Sequence, residues 1–205
     1  MISDKHKCIF IHIPKTAGNS IEFALGGFEI KNGSTWDNDL HRRSDSTKRF
    51  YFDKSERHWT CRQYRRRCPG KFREYFKFAV VRNPFDSLVS HLLWAQQGNR
   101  PVIPAHWSLW KCLLRNPLLF RHLSPSKYIC DSRGRLMVDC VLRFENLDED
   151  WQPVAERLGL PWNLAHLNKS KRDPARDYYT AFLRRLVKCC FSRDLQRFGY
   201  SFDVK

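Results

Sequence analysis

The run Pro14-Lys15-Thr16-Ala17-Gly18-Asn19-Ser20 carries the residue types that an anion site needs. Lys15 brings a mobile positive charge, Thr16 and Ser20 bring hydroxyl donors, and Gly18 lets backbone approach closely. An apolar stretch, Cys8-Ile9-Phe10-Ile11-His12-Ile13, stands immediately before it. A strand that turns tightly into a helix leaves free N–H groups and a positive helix end facing a bound anion. Thr16, Asn19 and Ser20 are suited to accept or donate at that helix start. The loop is not a Walker A motif, because the lysine precedes the glycine. An ordinary strand–loop–helix turn with a surface lysine shows the same pattern.

A second cationic anchor is Arg82. It follows the apolar run Phe76-Lys77-Phe78-Ala79-Val80-Val81, and Ser90 lies eight residues on. Arginine suits bidentate contact with phosphate. A structural arginine capping carbonyls and a helix-packing serine fit the same positions. A third basic stretch, His166-Leu167-Asn168-Lys169-Ser170-Lys171-Arg172, could close over a phosphate or serve as a solvated linker.

The elements that must position these groups are three buried strands, each followed by a helix. Pro14 stops the first strand, since it has no N–H for a ladder. The first helix is expected from about Thr16 to Leu25, ended by Gly26-Gly27. Residues 31–49 read as a polar loop and Phe50-Tyr51-Phe52 as a short strand. A basic helix follows from about Thr60 to Arg67. Arg62, Arg65, Arg66, Arg67, Lys71 and Arg73 make either an anion-recruiting rim or a solvated face. The strand Phe76–Val81 leads to a helix from about Phe85 to Gln97, with Pro84 suited to its first turn. In an open α/β sheet ligands bind at the carboxyl ends of strands, which puts Arg82 near Lys15. Residues 98–126, punctuated by Pro101, Pro104, Pro117 and Pro125, should form short helices with exposed aromatics. They could shape an acceptor pocket or act as a lid. Lys127–Cys130 and Leu136–Val138 read as a hairpin, and Asp139–Phe144 as the third strand. Its helix runs to about Leu158, where Gly159 stops it. The chain ends with helical spacing from Tyr178 to Cys190 and a short helix around Asp194–Phe198.

At 205 residues the chain is sized for one domain. The excess of 37 Lys and Arg over 21 Asp and Glu gives a formal charge of +16, which attracts polyanions without choosing among them. No stretch is apolar and long enough to span a membrane, and the first apolar run is a strand with its loop. A cytoplasmic protein with reduced thiols is therefore expected. The eight cysteines show no CxxC pair. Cys8 and Cys140 read as small buried hydrophobes. His58, Cys61 and Cys68 lack the spacing of a common zinc site, so no metal is expected.

Taken together, the motifs resemble sulfotransferases of the carbohydrate type, which use 3′-phosphoadenosine 5′-phosphosulfate (PAPS). His12–Ser20 is similar to that family's 5′-phosphosulfate loop, with Asn19 where threonine is commoner. Phe78–Ser90 is similar to its 3′-phosphate motif. Arg143-Phe144-Glu145-Asn146-Leu147, Asn168-Lys169-Ser170-Lys171 and Phe198-Gly199-Tyr200-Ser201-Phe202 resemble the family's small members. The resemblance implies one α/β domain over 1–205, a P-loop-like three-layer sandwich with a central parallel sheet flanked by helices. It implies sulfuryl transfer from PAPS to a hydroxyl or amine of an acceptor, a saccharide or glycolipid-like molecule, with no nucleic-acid partner. Donor binding would fall to Lys15, Thr16, Ala17, Gly18, Asn19, Ser20, Arg82, Ser90, Lys169, Ser170, Lys171 and Arg172. Lys15 would also be catalytic. His58 resembles the general base of uronyl-type members, with Glu145 as the second candidate and His12 and His91 as structural histidines. A kinase-like phosphoryl transferase and a non-catalytic module for acidic polymers remain the competing readings of the same residues.

Overall fold

A computed structural model describes residues 1–26, 57–96, 109–111, 113, 114, 116, 118–165 and 173–203. The expected strand at Phe50–Phe52, the loop at 31–49 and the basic stretch 166–172 lie outside the described residues.

Four strands form one sheet in the order β1 (Ile2–Ser3), β2 (Cys8–Ile11), β3 (Phe76–Val81), β4 (Cys140–Arg143). The last three are parallel, and Cys8 to Ile11 of β2 pair with Phe76 to Ala79 of β3. Phe78 to Val81 then pair with Cys140 to Arg143. β1 is antiparallel to β2, so the expected parallel sheet carries one antiparallel edge strand and is mixed overall. A two-residue edge strand is too short to leave a periodic sequence signal.

β2 is buried at all four positions, which explains its unbroken apolar run. Its side chains alternate between two cores. Ile9 and Ile11 join Ala79 and Val81 in one core, under α2 (Cys61–Arg67), α4 (Pro84–Gln96) and the C-terminal helices. Phe10, Phe78, Val80 and Leu142 join the other, under α1 (Gly18–Ala24). Trp151, Val154 and Ala155 close that second face from the helix Leu147–Leu158. Helices thus cover both faces of the sheet, giving the three layers of an α/β sandwich. In chain order α3 (Pro69–Glu74) precedes β3. α5 (Leu119–Leu123), α6 (Pro125–Ile129) and α7 (Leu147–Leu158) come next. α8 (Ala181–Cys190) and α9 (Ser192–Phe198) complete the series.

The hairpin expected over 127–138 is cut short, though Asp131 N–H still donates to the Arg135 carbonyl at 2.9 Å and Met137 N–H to the Ile129 carbonyl at 2.8 Å. Pro125–Ile129 is helical, so the pairing is reduced to the bridge Cys130–Leu136 and these flanking bonds. Pro125 at the first turn and the carboxylate of Asp194, which accepts from Ser126 N–H at 3.0 Å, favour the helix. Cys8 is fully buried and its thiol is pushed up to about 12 by that burial. Cys140 is only partly buried, contrary to expectation. Among the described residues no helix is long and apolar enough to cross a membrane.

Candidate functional site

β2 and β3 are parallel neighbours, so the loops at their carboxyl ends emerge side by side. After Pro14 the chain passes through two left-handed residues, Lys15 (φ 68°) and Ala17 (φ 59°). Each such non-glycine conformation costs about 1–3 kcal/mol and persists only where its surroundings fix it. Alternating left- and right-handed residues turns successive N–H groups toward one point. The N–H groups of Lys15 through Asn19 find no acceptor among the described residues. The expected side-chain cap is absent, because the cap position falls on Ala17. Thr16 instead donates its hydroxyl to the Ile13 carbonyl at 2.9 Å and ties the loop to the strand. α1 begins at Gly18 and is only seven residues long, so the loop N–H groups and Lys15, more than a helix dipole, are the groups here that could hold an anion.

Gly18 answers to a contact inside the protein. A Cβ there would stand 2.1 Å from Nε2 of His12, so the imidazole needs glycine above it. His12 is buried, and its Nδ1 lies 2.5 Å from Oε1 of Glu22, which is 1% exposed. Arg57 donates to the other Glu22 oxygen at 3.0 Å and to Oδ1 of Asn19. Burial alone would raise the Glu22 carboxyl, but His12 and Arg57 outweigh it and hold it below the usual range. Burial also lowers His12, against the pull of Glu22. The loop therefore rests on a buried His–Glu–Arg network.

Arg82 is the second anchor, buried at the tip of β3. It donates Nη1–H to the Lys15 carbonyl at 2.9 Å and Nε–H to Asp86 at 2.7 Å. Its guanidinium lies 3.8 Å from the Phe144 ring centre. The next residue, Asn83, is pinned from three sides. Its N–H donates to Glu145 at 2.7 Å, its side-chain amide donates to the Ser201 carbonyl at 2.8 Å, and its Oδ1 accepts from Phe85 N–H at 3.1 Å. The second Glu145 oxygen accepts from the Tyr200 hydroxyl at 2.8 Å. Both oxygens of Glu145 are thus occupied by groups that hold the Arg82 turn.

Lys15 joins the two loops. Its carbonyl receives Arg82, while its ammonium lies 5.2 Å from the Trp94 ring centre. Burial, and then the Arg82 charge, pulls the ammonium from 10.5 down to about 8.

His58 stands two residues before Thr60, which caps α2 in a reciprocal box with Gln63. Its Nδ1 is 2.9 Å from the His12 carbonyl oxygen. A carbonyl only accepts, so Nδ1 carries the hydrogen and Nε2 keeps its lone pair. The ring has an exposed edge, yet crowding by surrounding atoms, and then His12, lowers it from 6.5 to about 4.

The structure brings Lys15, Arg82 and His58 to one end of the sheet, with Thr16 to Ser20 between them. Ser90 is half-buried on α4, two turns beyond Arg82. Lys169, Ser170, Lys171 and Arg172 lie outside the described residues. Glu22, Arg57, Asn83, Tyr200 and Trp94 escaped sequence reading. Two had a signal: Trp94 stands four residues past Ser90 on the same helix face, and Tyr200 lies in the Phe198–Phe202 motif. Among the described residues no group of three or more His, Cys, Asp or Glu is placed to hold a metal ion.

Compared with known protein families, residues 1–97 match the model described as the sulfotransferase family. No curated protein and no solved structure matches the chain.

Proposed function

We propose that this chain, whose residues 1–97 match the model of the sulfotransferase family, moves a sulfuryl group from PAPS to a hydroxyl or amine of a saccharide or glycoconjugate acceptor. The observation that carries the reading is the hydrogen bond from Arg82 to the Lys15 carbonyl, which locks two cationic anchors together at the tips of adjacent parallel strands.

The donor set fits a molecule with phosphates at both ends of a nucleoside. Lys15 and the N–H groups of Lys15 to Asn19 hold the 5′ end, with Thr16 and Ser20 completing the loop. Arg82 and Ser90 hold the 3′-phosphate, and Lys169, Ser170, Lys171 and Arg172 add a closing contact. PAPS supplies a sulfuryl group already bonded to a phosphate that leaves readily. His58 Nε2 takes the proton of the acceptor hydroxyl as its oxygen bonds to sulfur. Lys15 meets the negative charge on the phosphate oxygen as the old sulfur–oxygen bond breaks. Stabilising developing charge with a preorganised donor is worth about 10²–10³ in rate, and general base catalysis about 10²–10⁴. Glu145 serves as a brace for the Arg82 turn, since both its oxygens are already used.

The test is a thermal shift without magnesium. Adenosine 3′,5′-bisphosphate raises the melting temperature and ATP does not. Incubation with labelled PAPS and a panel of glycans then yields sulfated product by mass. Stabilisation by magnesium-ATP instead of the bisphosphate would point to a phosphoryl transferase. Salt-sensitive polyanion binding with no response to either nucleotide would point to a non-catalytic module.

A further inference from the structure

Beyond Lys15 the site continues as a wall of rings that the assignment of donor groups leaves unused. His12 and His58 stand 4.7 Å apart between ring centres, with the rings edge to face. His58 and His122 follow at 6.2 Å, and His122 and His91 at 6.2 Å. His91 and Trp94 close the series at 5.8 Å, where the Lys15 ammonium lies 5.2 Å from the indole centre. The arc therefore starts at the imidazole with a free Nε2 and ends at the ammonium beside the reacting group.

Beyond His12, three separate elements supply it: the turn before α2, the α4 helix and the α5 helix. His91 and His122 are half-buried and Trp94 is 47% exposed, so the arc presents a surface. A large aromatic left open beside a buried lysine is not accounted for by core packing. The geometry points to the acceptor subsite: the open face of Trp94 is where a pyranose-type ring of the acceptor lies, with His91, inclined 44° to the indole, and His122, 68° to His91, standing as polar ring edges between it and His58, toward which one of its hydroxyls is directed.

Two physical features fit this ligand class. Indole and imidazole faces pack against the C–H face of a sugar ring, while imidazole nitrogens can donate to or accept from its hydroxyls. Burial lowers His91 to about 4, and lowers His122 as well, so both imidazoles are neutral near pH 7 and keep a free acceptor nitrogen. An open-chain polyol offers the same hydroxyls without the flat face.

This subsite rests on the sulfotransferase reading, and the experiment separates the two. Affinity for adenosine 3′,5′-bisphosphate is measured first by calorimetry, on wild type, Trp94→Ala, Trp94→Phe and His122→Ala. Sulfation by labelled PAPS is then measured with methyl pyranosides and pyranose oligosaccharides, against open-chain alditols of equal hydroxyl count. The expected result is sulfation of pyranose acceptors with alditols at least tenfold poorer. Trp94→Ala and His122→Ala should raise the acceptor KM at least tenfold while bisphosphate Kd stays within twofold, and Trp94→Phe should recover most of the loss. Equal use of alditols, sulfation of neither class by a protein that binds the bisphosphate, or unchanged KM in both alanine variants overturns the subsite. A shift in bisphosphate Kd in place of KM overturns it too, by giving the wall to the nucleotide. Failure of wild type to bind the bisphosphate overturns the sulfotransferase reading itself.

Discussion

The turn at Arg82 and the ring wall ending at Trp94 flank the same lysine and are built by opposite means. Around Arg82 almost every polar atom has a directed partner. Asp86, the Lys15 carbonyl, Glu145, Tyr200 and the Ser201 carbonyl each accept or donate within 2.9 Å. Along the wall beyond the His12 ring, which Glu22 holds, the contacts described are ring against ring, with His58 donating to the His12 carbonyl. A network of short hydrogen bonds has one satisfied arrangement and resists adjustment. Ring contacts depend weakly on angle and leave nitrogens free for a ligand. If the proposed function holds, the difference teaches that the rigid side is matched to a part that never varies, the nucleotide, and the adaptable side to a part that can, the acceptor.

The variant that breaks both sides at once should have the largest effect. Lys15→Ala removes the charge at the junction, so sulfuryl transfer should fall by about 10²–10³ in a single-turnover assay. His58→Ala should break only the acceptor side. Its kcat should fall by about 10²-fold while calorimetric affinity for adenosine 3′,5′-bisphosphate is unchanged. If affinity falls with kcat, the two sides are not separate. Acid and alkali should sharpen the same division. In the free protein His58 titrates near 4 and Lys15 near 8. Deprotonated His58 is the active form, so kcat/KM should rise as pH increases through about 4. Protonated Lys15 is the active form, so it should fall as pH increases through about 8. His58→Ala should erase the acid limb and keep the alkaline one.

How legible this was differs between the sides. Lys15, Arg82 and their strands could be read directly, because buried parallel strands are unbroken apolar runs and their ends are marked by Pro14 and Pro84. The wall could not. His58, His91 and His122 lie on three elements, and only the packing of α4 and α5 over β2 brings them together. The network under the loop was hidden for the same reason. Glu22 looked like any helix carboxylate, yet it is 1% exposed and held by His12 and Arg57. Gly18 was correctly read as a site of close approach, but what approaches is the His12 ring. That Asn83 and Tyr200 each donate to one oxygen of Glu145, the second candidate base, was likewise not visible in the sequence.

The smallest predicted effect is the most specific. Tyr200→Phe deletes one hydroxyl, from a residue 55 positions from its partner Glu145 and outside the loops that touch ligand. Glu145 is exposed enough for water to take the vacated place, so the fold should lose little. A neutral-donor hydrogen bond contributes about 0.5–1.5 kcal/mol net, which corresponds to roughly a two- to tenfold change in an equilibrium. That change should appear only in what Arg82 does. Affinity for adenosine 3′,5′-bisphosphate should weaken by this factor, whereas affinity for adenosine 5′-monophosphate, which lacks the 3′-phosphate, should not move. Equal weakening of both nucleotides would mean that Tyr200 supports the domain in general. No change in either would mean that Asn83 and Asp86 alone suffice to aim the guanidinium, and that the rigid side is over-determined. Only a loss confined to the 3′-phosphate ties the C-terminal Phe198–Phe202 segment to nucleotide selection through Glu145.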